Sequence, residues 1–444
     1  MQFFHKGRRI KSVSLFGFGK SNRAVFEYLE KNFENLKISI RLQKSTDGLP
    51  KGVRIFEKDN LFSELSEDLI FVSPSVRRDT EQFYGKLLSS DAELFFEKSV
   101  GDVFAVTGSD GKSTTTTLAK MLLGDKAYAI GNIGVPFTSA ISYPKGSVFV
   151  SELSSFQLMD FAPKTKRAII TNITPNHLDW HKSMEEYVAA KENVLVNCGE
   201  PVFFIDDPIS KELYKKHRPF AIVSLKLSED EIKSYKAETY VYVKQGAVYA
   251  DGKEILKLAD ISRKEDYNLK NFICATALAY GYFENSELSR IAKSFSGLPH
   301  RFELIYEING TRFFNSSIDS SPQRTLSTLS QKTTPYVLLM GGRTKMKNYG
   351  ILKDLIEKNA HALVLTGENR YEIYDAIAPI SVPIYIEDAF DAAVFCAFDL
   401  ALNNCDLIFS PASVSYDAFE NFEKRGEAFA SALGRKIQDL KRKV

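Results

Sequence analysis

Cysteine is scarce in this sequence, with four in 444 residues. Cys198, Cys274, Cys396 and Cys405 form no CxxC pair, and their spacing fits no zinc module. Dispersed over so long a chain, they read as free, buried thiols of a reducing compartment, which excludes a disulfide scaffold. Charge of one sign is missing too. Lys and Arg number 58 against 56 Asp and Glu, a formal net charge of +2, which argues against a polybasic nucleic-acid binder. No apolar run approaches the ~18 residues of a membrane span, so no membrane insertion is expected. The basic residues of positions 1–10 are followed by no apolar stretch of the kind a secretory signal needs, and a cytoplasmic protein is expected. Internal repeats and low-complexity segments are absent. What the chain has instead is apolar substance: 44% hydrophobic residues, among them 33 Phe and 20 Tyr. That composition excludes general disorder. At roughly 150 residues per domain, the length suggests about three domains.

The order of apolar runs predicts an α/β protein of three domains. The first, residues 1–97, opens with a strand at 13–16, then Gly17-Phe18-Gly19-Lys20-Ser21, then a helical stretch. Strand, glycine turn and helix open a Rossmann-like nucleotide-binding unit. Further strands are expected at 38–40 and 69–72, the latter stopped by Ser73-Pro74. The second, residues 98–297, alternates strand-like runs (102–106, 148–150, 168–170, 202–205) with helical patterns such as 183–196. That predicts a mostly parallel sheet like that of a P-loop ATPase. Between 240 and 258 the pattern changes to short antiparallel hairpins around Asp251-Gly252, and helical segments follow over 268–296. Gly297-Leu298-Pro299 marks the boundary. The third, residues 298–444, reads as a Rossmann-like α/β domain. It starts with a hairpin turning at Asn309-Gly310, continues with buried strands at 336–340, 363–365 and 407–409, and ends in a helix over 424–440. Lys441-Arg442-Lys443 would complement that helix's C-terminus.

The sharpest local signal is Thr107-Gly108-Ser109-Asp110-Gly111-Lys112-Ser113-Thr114, placed after a strand and opening a helix. This is the setting a phosphate loop requires. Glycines let backbone N–H groups approach phosphate oxygens, and the helix N-terminus adds partial positive charge. Lys112 can reach terminal phosphates, and the Ser113 hydroxyl can ligate Mg²⁺. The first glycine of the GxxxxGK[ST] pattern is replaced by Val106. Glu152 closes a strand beside small hydroxyl residues, where a carboxylate is either a Mg²⁺ ligand or an ordinary surface acid. Asn268 and Asn271 lie three apart and so share a helix face. Their amides suit an adenine edge, although Asn268 can equally cap a helix.

Residues 107–114 resemble the TG-x-x-GK-[ST] loop of the Mur ligase family, ATP-dependent amide ligases of bacterial peptidoglycan synthesis. Five further segments match that family in order: 152–158, 172–179, 187–191, 268–271 with 298–303, and 410–426. The first domain matches more loosely, through Gly17, Gly19 and Ser73-Pro74. The segments 152–158, 172–179 and 187–191 look like those of the D-glutamate-adding member. The resemblance implies an acyl-phosphate route that joins D-glutamate to UDP-N-acetylmuramoyl-L-alanine, with ATP and two Mg²⁺ as cofactors and the chain acting as a monomer. It further implies that Lys112, Glu152, His177 and Lys191 form the catalytic set, and that Ser113, Glu152, His177 and Lys191 hold metal. Lys191, which composition alone reads as a solvated lysine, would carry a carbamate. ATP would be held by residues 108–114, Asn268, Asn271 and Arg301. The UDP-substrate would be held by residues 17–21, Ser73 and Asn132. Lys345, Ser415 and Phe422 would take the amino acid, with Lys347 as an alternative to Lys345 and core packing as the alternative for Phe422. His181 reads as ordinary surface.

The chain departs from the family pattern at several points. Tyr267 stands where His is common. Ser75 replaces a frequent glycine, and Ser413 a frequent cysteine, a change expected to matter little. Ser316 replaces an aspartate near the ATP ribose, and Ile318 a lysine near the reacting groups, for which Arg324 is a candidate substitute. Two other readings stay open: a related ligase with a different amino acid, and a non-catalytic ATP-binding module. Domain closure about Gly297-Leu298 is expected on ligand binding.

Overall fold

The computed structural model describes residues 2–43, 48–63, 65–178, 180–262, 266–330 and 332–442. Asp179, within one of the family-like segments, and Lys443 lie outside the described residues. The chain divides into two compact units, Met1–Phe295 and Ser296–Val444.

The first unit carries two large sheets. In the smaller, the order is Arg54–Glu57, Lys37–Leu42, Ser12–Phe16, Leu69–Val72, Leu88–Ser89, all parallel. The chain leaves Ser12–Phe16 for one side of the sheet and returns on the other. A crevice therefore opens beyond the carboxyl end of that strand, the usual place for a ligand in such sheets. Helix Lys20–Asn32 follows directly and packs Val25 and Leu29 against the core. An antiparallel pair, Phe3–His5 with Arg8–Ile10, precedes this sheet.

The larger sheet has nine strands, in the order Lys253–Lys257, Ala247–Ala250, Thr239–Lys244, Ala221–Ser224, Cys198–Phe204, Thr165–Ile170, Asp102–Thr107, Val148–Glu152, Ala127–Gly131. The neighbours from Ala127–Gly131 through Thr239–Lys244 pair in parallel. Two antiparallel hairpin strands complete the edge, as the shorter alternating pattern there predicts. Asp102–Thr107 lies between Thr165–Ile170 and Val148–Glu152, so a second switch point falls at its carboxyl end. Its central residues Phe104, Ala105 and Val106 are wholly buried, because strands covered on both faces read as unbroken apolar runs.

The second unit holds one sheet in the order Glu303–Ile308, Thr311–Asn315, Asp406–Phe409, Tyr336–Gly341, Ala360–Thr366, Ile384–Ile386. Only the first pair is antiparallel. It turns at Asn309 and Gly310, both with positive φ, the two-residue hairpin geometry that such a pair favours. Helix Phe422–Arg442 packs Phe429, Ala432 and Leu433 into the core, and Lys441 and Arg442 lie in its last turn.

The four cysteines are free. Cys274 is buried, and burial pushes its thiol up to about 12. The other three are only partly buried, contrary to the expectation of buried thiols, because they sit at element ends and on half-covered helix faces. No helix among the described residues is long and apolar enough to cross a membrane.

Candidate active site

The loop at 107–114 leaves strand Asp102–Thr107 and enters helix Lys112–Leu122. Two of its positions require glycine. Gly111 caps the helix at φ 81, and an added Cβ would lie 2.1 Å from Asn271 Oδ1. At Gly108, φ is 149 and a Cβ would meet Thr171 Oγ1 at 2.0 Å. Neighbouring segments fix the rest of the turn. Ser109 N–H donates to Asn172 O (2.9 Å), and Asp110 N–H to Asn172 Oδ1 (2.9 Å). Thr171 Oγ1 donates to Asp110 O (2.6 Å), and Ser109 Oγ donates to Thr174 O (2.9 Å). The early amides of the turn are thus engaged inside the protein. The first-turn amides of the following helix, which have no intrahelical acceptor, are the ones oriented to meet an anion. Lys112 Nζ folds back over the turn and donates to Gly108 O and Ser109 O, each at 2.8 Å.

Glu152 ends strand Val148–Glu152 with Val106 as its ladder partner, so its carboxylate stands beside the loop. It is buried, and its Oε2 has no hydrogen-bond partner among the described residues. Lys191 lies on helix Met184–Val196 and is 1% exposed, not solvated as composition suggests. The helix packs against the sheet and aims Nζ at the loop, where it donates to Gly108 O at 2.8 Å. Burial, with the Lys112 charge nearby, drives its ammonium well below the usual lysine range, while Asp110 and Glu152 pull the other way. Tyr187, one turn earlier, places its ring 4.6 Å from Lys191 Nζ and its hydroxyl 2.9 Å from Ser109 Oγ.

His177 is exposed, has φ 55, and rests its ring edge-on against Phe156, 4.9 Å between centroids. Phe156 lies four residues past Glu152, so the structure brings His177 beside the segment that follows the carboxylate. His181 corrects the expectation of ordinary surface. It is 1% exposed, stacks on Phe156, and shares a 2.9 Å hydrogen bond with Ser155 Oγ. Asn268 and Asn271 both lie on the buried face of helix Asp266–Leu278, which packs on the loop's own helix. Among the described residues, no three His, Cys, Asp or Glu side chains gather as a metal site.

At the other switch point, Gly17 (φ 81) lies so close to Ser73 that a Cβ would meet its Oγ at 2.8 Å. Gly19 is the N-cap of helix Lys20–Asn32. Phe18 points inward: its ring packs edge-on with Phe26 under the Arg23 guanidinium, leaving only its backbone for a ligand. Lys20 Nζ donates to Gly134 O (3.0 Å), and Asn132 N–H to Glu152 O (3.1 Å), so the 132–134 turn links this crevice to the one at Glu152. Ser21, at the start of the same helix Lys20–Asn32, lies close to the buried Asp91 carboxylate. Sequence reading missed Asn22, whose Nδ2 donates to Phe16 O, Gly17 O and Phe71 O and holds the turn. An asparagine two residues into a helix carries no signal for that task.

In the second unit, Lys345 is exposed on the loop after strand Tyr336–Gly341. Arg343 and Val414 exchange both backbone hydrogen bonds (2.9 and 3.0 Å), which sets the Lys345 loop beside the segment holding buried Ser415. Phe422, half-buried, opens the last helix, and its C=O accepts from Ser317 Oγ (2.8 Å). Lys347 instead approaches Glu372, at 3.8 Å. Ser316 is buried and accepts from Phe302 N–H, so its hydroxyl serves the backbone. Arg301 and Arg324 are exposed, and Arg324 donates to Ile318 O (3.1 Å).

Two anion-friendly switch points in one unit, and a third sheet with converging loops, describe a multi-substrate nucleotide-dependent enzyme. Comparison with known proteins is more specific. The family described as Mur ligase middle domain matches residues 106–279. The UDP-N-acetylmuramoylalanine--D-glutamate ligase of Ruminiclostridium cellulolyticum is 34% identical, over 97% of this chain and 97% of its own. Its namesakes from Clostridium novyi and Acetivibrio thermocellus are 34% and 33% identical, covering 95% and 96% of this chain and 96% and 97% of theirs. Among solved structures, the UDP-N-acetylmuramate-alanine ligase of Thermotoga maritima aligns with a TM-score of 0.59 at 18% identity, over 96% of this chain and 99% of its own. MurF of Acinetobacter baumannii aligns at 0.57 and 14% identity, over 96% and 94%. The MurF ligase of Thermotoga maritima, solved in complex with ADP, aligns at 0.54 and 14%, over 93% and 92%. These structural likenesses bear on the fold. The chain belongs to the Mur ligases, and among them to the UDP-N-acetylmuramoylalanine--D-glutamate ligase family.

Proposed function

We propose that this protein joins D-glutamate to UDP-N-acetylmuramoyl-L-alanine in the cytoplasm, using ATP. The observation that carries the reading is the convergence of Lys112, Glu152 and Lys191 on one phosphate-type loop. Residues 1–97 anchor the UDP-sugar through the Gly17–Ser73 crevice, residues 98–297 hold ATP, and residues 298–444 capture the amino acid through Lys345, Ser415 and Phe422. Asn268 and Asn271 complete the ATP site of the first unit.

The residues fit Mg²⁺. Glu152 offers a buried carboxylate oxygen with no partner among the described residues, and Ser113 a hydroxyl at the helix start. Hard cations take such oxygens. Glu152, Ser113, His177 and Lys191 would hold the metal, with Lys191 as its carbamate. Bound Mg²⁺ would supply charge neutralisation for the approach of two anions. Lys191 favours carbamate formation because only a neutral amine attacks CO₂, and burial disfavours its charged form.

In the reaction, a substrate carboxylate oxygen attacks the γ-phosphorus, the bond to ADP breaks, and an acyl phosphate forms. The D-glutamate amine then attacks the acyl carbon, and phosphate leaves as the amide forms and the amine proton is lost. Lys112 screens the phosphoryl oxygens while the loop fixes their position. No nucleophilic side chain is needed.

Phosphate release from ATP, with UDP-N-acetylmuramoyl-L-alanine and a panel of D- and L-amino acids, tests this. Release with D-glutamate alone is expected. Release with another amino acid would move the protein to a related ligase, and none with any pair would favour a non-catalytic ATP-binding module.

A further inference from the structure

Asn369 is a buried amide between three loops of the second unit. Its Oδ1 accepts from Gly342 N–H at 2.9 Å, which fixes the orientation of the amide. On the other side, Nδ2 reaches Thr344 Oγ1 (3.1 Å), Tyr349 OH (2.7 Å) and Ser413 Oγ (2.8 Å). Its own N–H donates to Gly342 O at 3.0 Å. An amide has two N–H protons, so three hydroxyls share two donors. The hydroxyls make up the difference among themselves. Tyr349 OH lies 3.3 Å from Ser413 Oγ and 3.2 Å from Thr344 Oγ1, and Thr344 donates onward to Glu372 at 2.8 Å. Tyr349 and Ser413 are wholly buried, so the links among Asn369, Tyr349 and Ser413 are not exchanged readily for water.

The network reaches the loops that carry Lys345 and Ser415 and leaves those side chains themselves uncommitted to it. Gly342 and Thr344 bracket the start of the Lys345 loop, and Ser413 precedes Ser415 by two residues. Neither loop has helix or strand structure to hold it over 342–348 or 410–415 beyond the Arg343–Val414 bridge. Gly342 has no room for a side chain: a Cβ would meet Val414 O at 2.4 Å. Ser413, expected to matter little, is a working member of this network.

We infer that Asn369 is the positioning residue of the amino-acid site, holding the Lys345 and Ser415 loops at the spacing that binds the incoming amino acid. The inference rests on the reading of the second unit as the amino-acid site. Its test is the Michaelis constant for each of the three substrates in the full-length enzyme, for wild type, Asn369→Ala and the milder Tyr349→Phe, with the melting temperature of each. Asn369→Ala is expected to raise KM for D-glutamate tenfold or more and leave KM for ATP and the UDP-substrate within twofold. Tyr349→Phe should fall between. A rise in all three constants together, or an unchanged KM for D-glutamate beside a lowered melting temperature, would reduce Asn369 to a structural part and overturn the inference. Should the wild type ignore D-glutamate and use another amino acid, the specificity reading fails alone, and that amino acid enters the same comparison. A wild type without any turnover removes both.

Discussion

Replacing Gly111 with alanine tests the packing of the phosphate loop on its neighbouring helix. The residue has φ 81, and the added Cβ would lie 2.1 Å from Asn271 Oδ1 and 2.9 Å from its Cγ. Two costs follow. Holding alanine in the left-handed region costs about 1–2 kcal/mol. The overlap forces the Asn271 amide back by more than 1 Å within a buried interface, which costs about 1–3 kcal/mol as overpacking. Together, Gly111→Ala should destabilise the first unit by roughly 2–5 kcal/mol. Asn271→Ala removes the obstruction, so in the double variant the overlap vanishes and the backbone cost remains. Chemical denaturation of the four proteins then gives a cycle with a coupling of about 1–3 kcal/mol, the double variant being more stable than the two single losses predict. Additivity within about 0.5 kcal/mol would refute the argument, because it would mean that the Asn271 side chain does not occupy the space a Cβ needs.

Three further outcomes follow from the same structure. An ordinary lysine, with pKa about 10.4, is neutral in only about one molecule in a thousand at pH 7.4, and each tenfold weakening of basicity raises that share tenfold. Lys191 should therefore take ¹³CO₂ as a carbamate visible by NMR near neutral pH, and Lys191→Ala should lose both that signal and at least about 100-fold in turnover; a silent spectrum with bicarbonate-independent turnover would refute this. Burial pushes the Asp91 carboxyl up to about 6, so the native state binds its proton more tightly than the unfolded chain does. Its contribution is full below about pH 4 and lost as pH rises through about 6, a change of roughly 3 kcal/mol, so Asp91→Asn should be more stable than wild type at pH 7.5 by more than at pH 4.5. An equal difference at both values would contradict the assignment. Arg324→Ala should slow turnover about tenfold or more if its guanidinium replaces the cation missing at Ile318, a charge-stabilisation effect; unchanged turnover would exclude that role.

How much of this was legible in the sequence depends on the range of the interaction. The central strands were readable because burial on both faces leaves continuous apolar runs, as at 102–106 and 336–340. Short edge strands such as Arg54–Glu57 and Ile384–Ile386 went unseen, since half-covered strands of three or four residues carry almost no pattern. The phosphate loop was readable because its glycines and its lysine are local. The environment of its partners was not. Lys191 and His181 both read as solvated by residue type, and both are buried because helix Met184–Val196 and the turn before it press against the sheet's carboxyl edge. A lysine placed there costs desolvation energy that no packing benefit offsets, whereas a leucine would cost none. The same reasoning separates Glu152 from a surface acid: a carboxylate oxygen kept from water, with no donor among the described residues, is suited to a bound cation. The second unit gave less away. Lys345, Ser415 and Phe422 could be matched to a family, but Asn369, joined to Gly342 and Ser413 across 27 and 44 residues, has no local pattern at all. A site assembled from loop ends is specified by such long-range polar contacts, and these become visible only once the strands have brought the loops together.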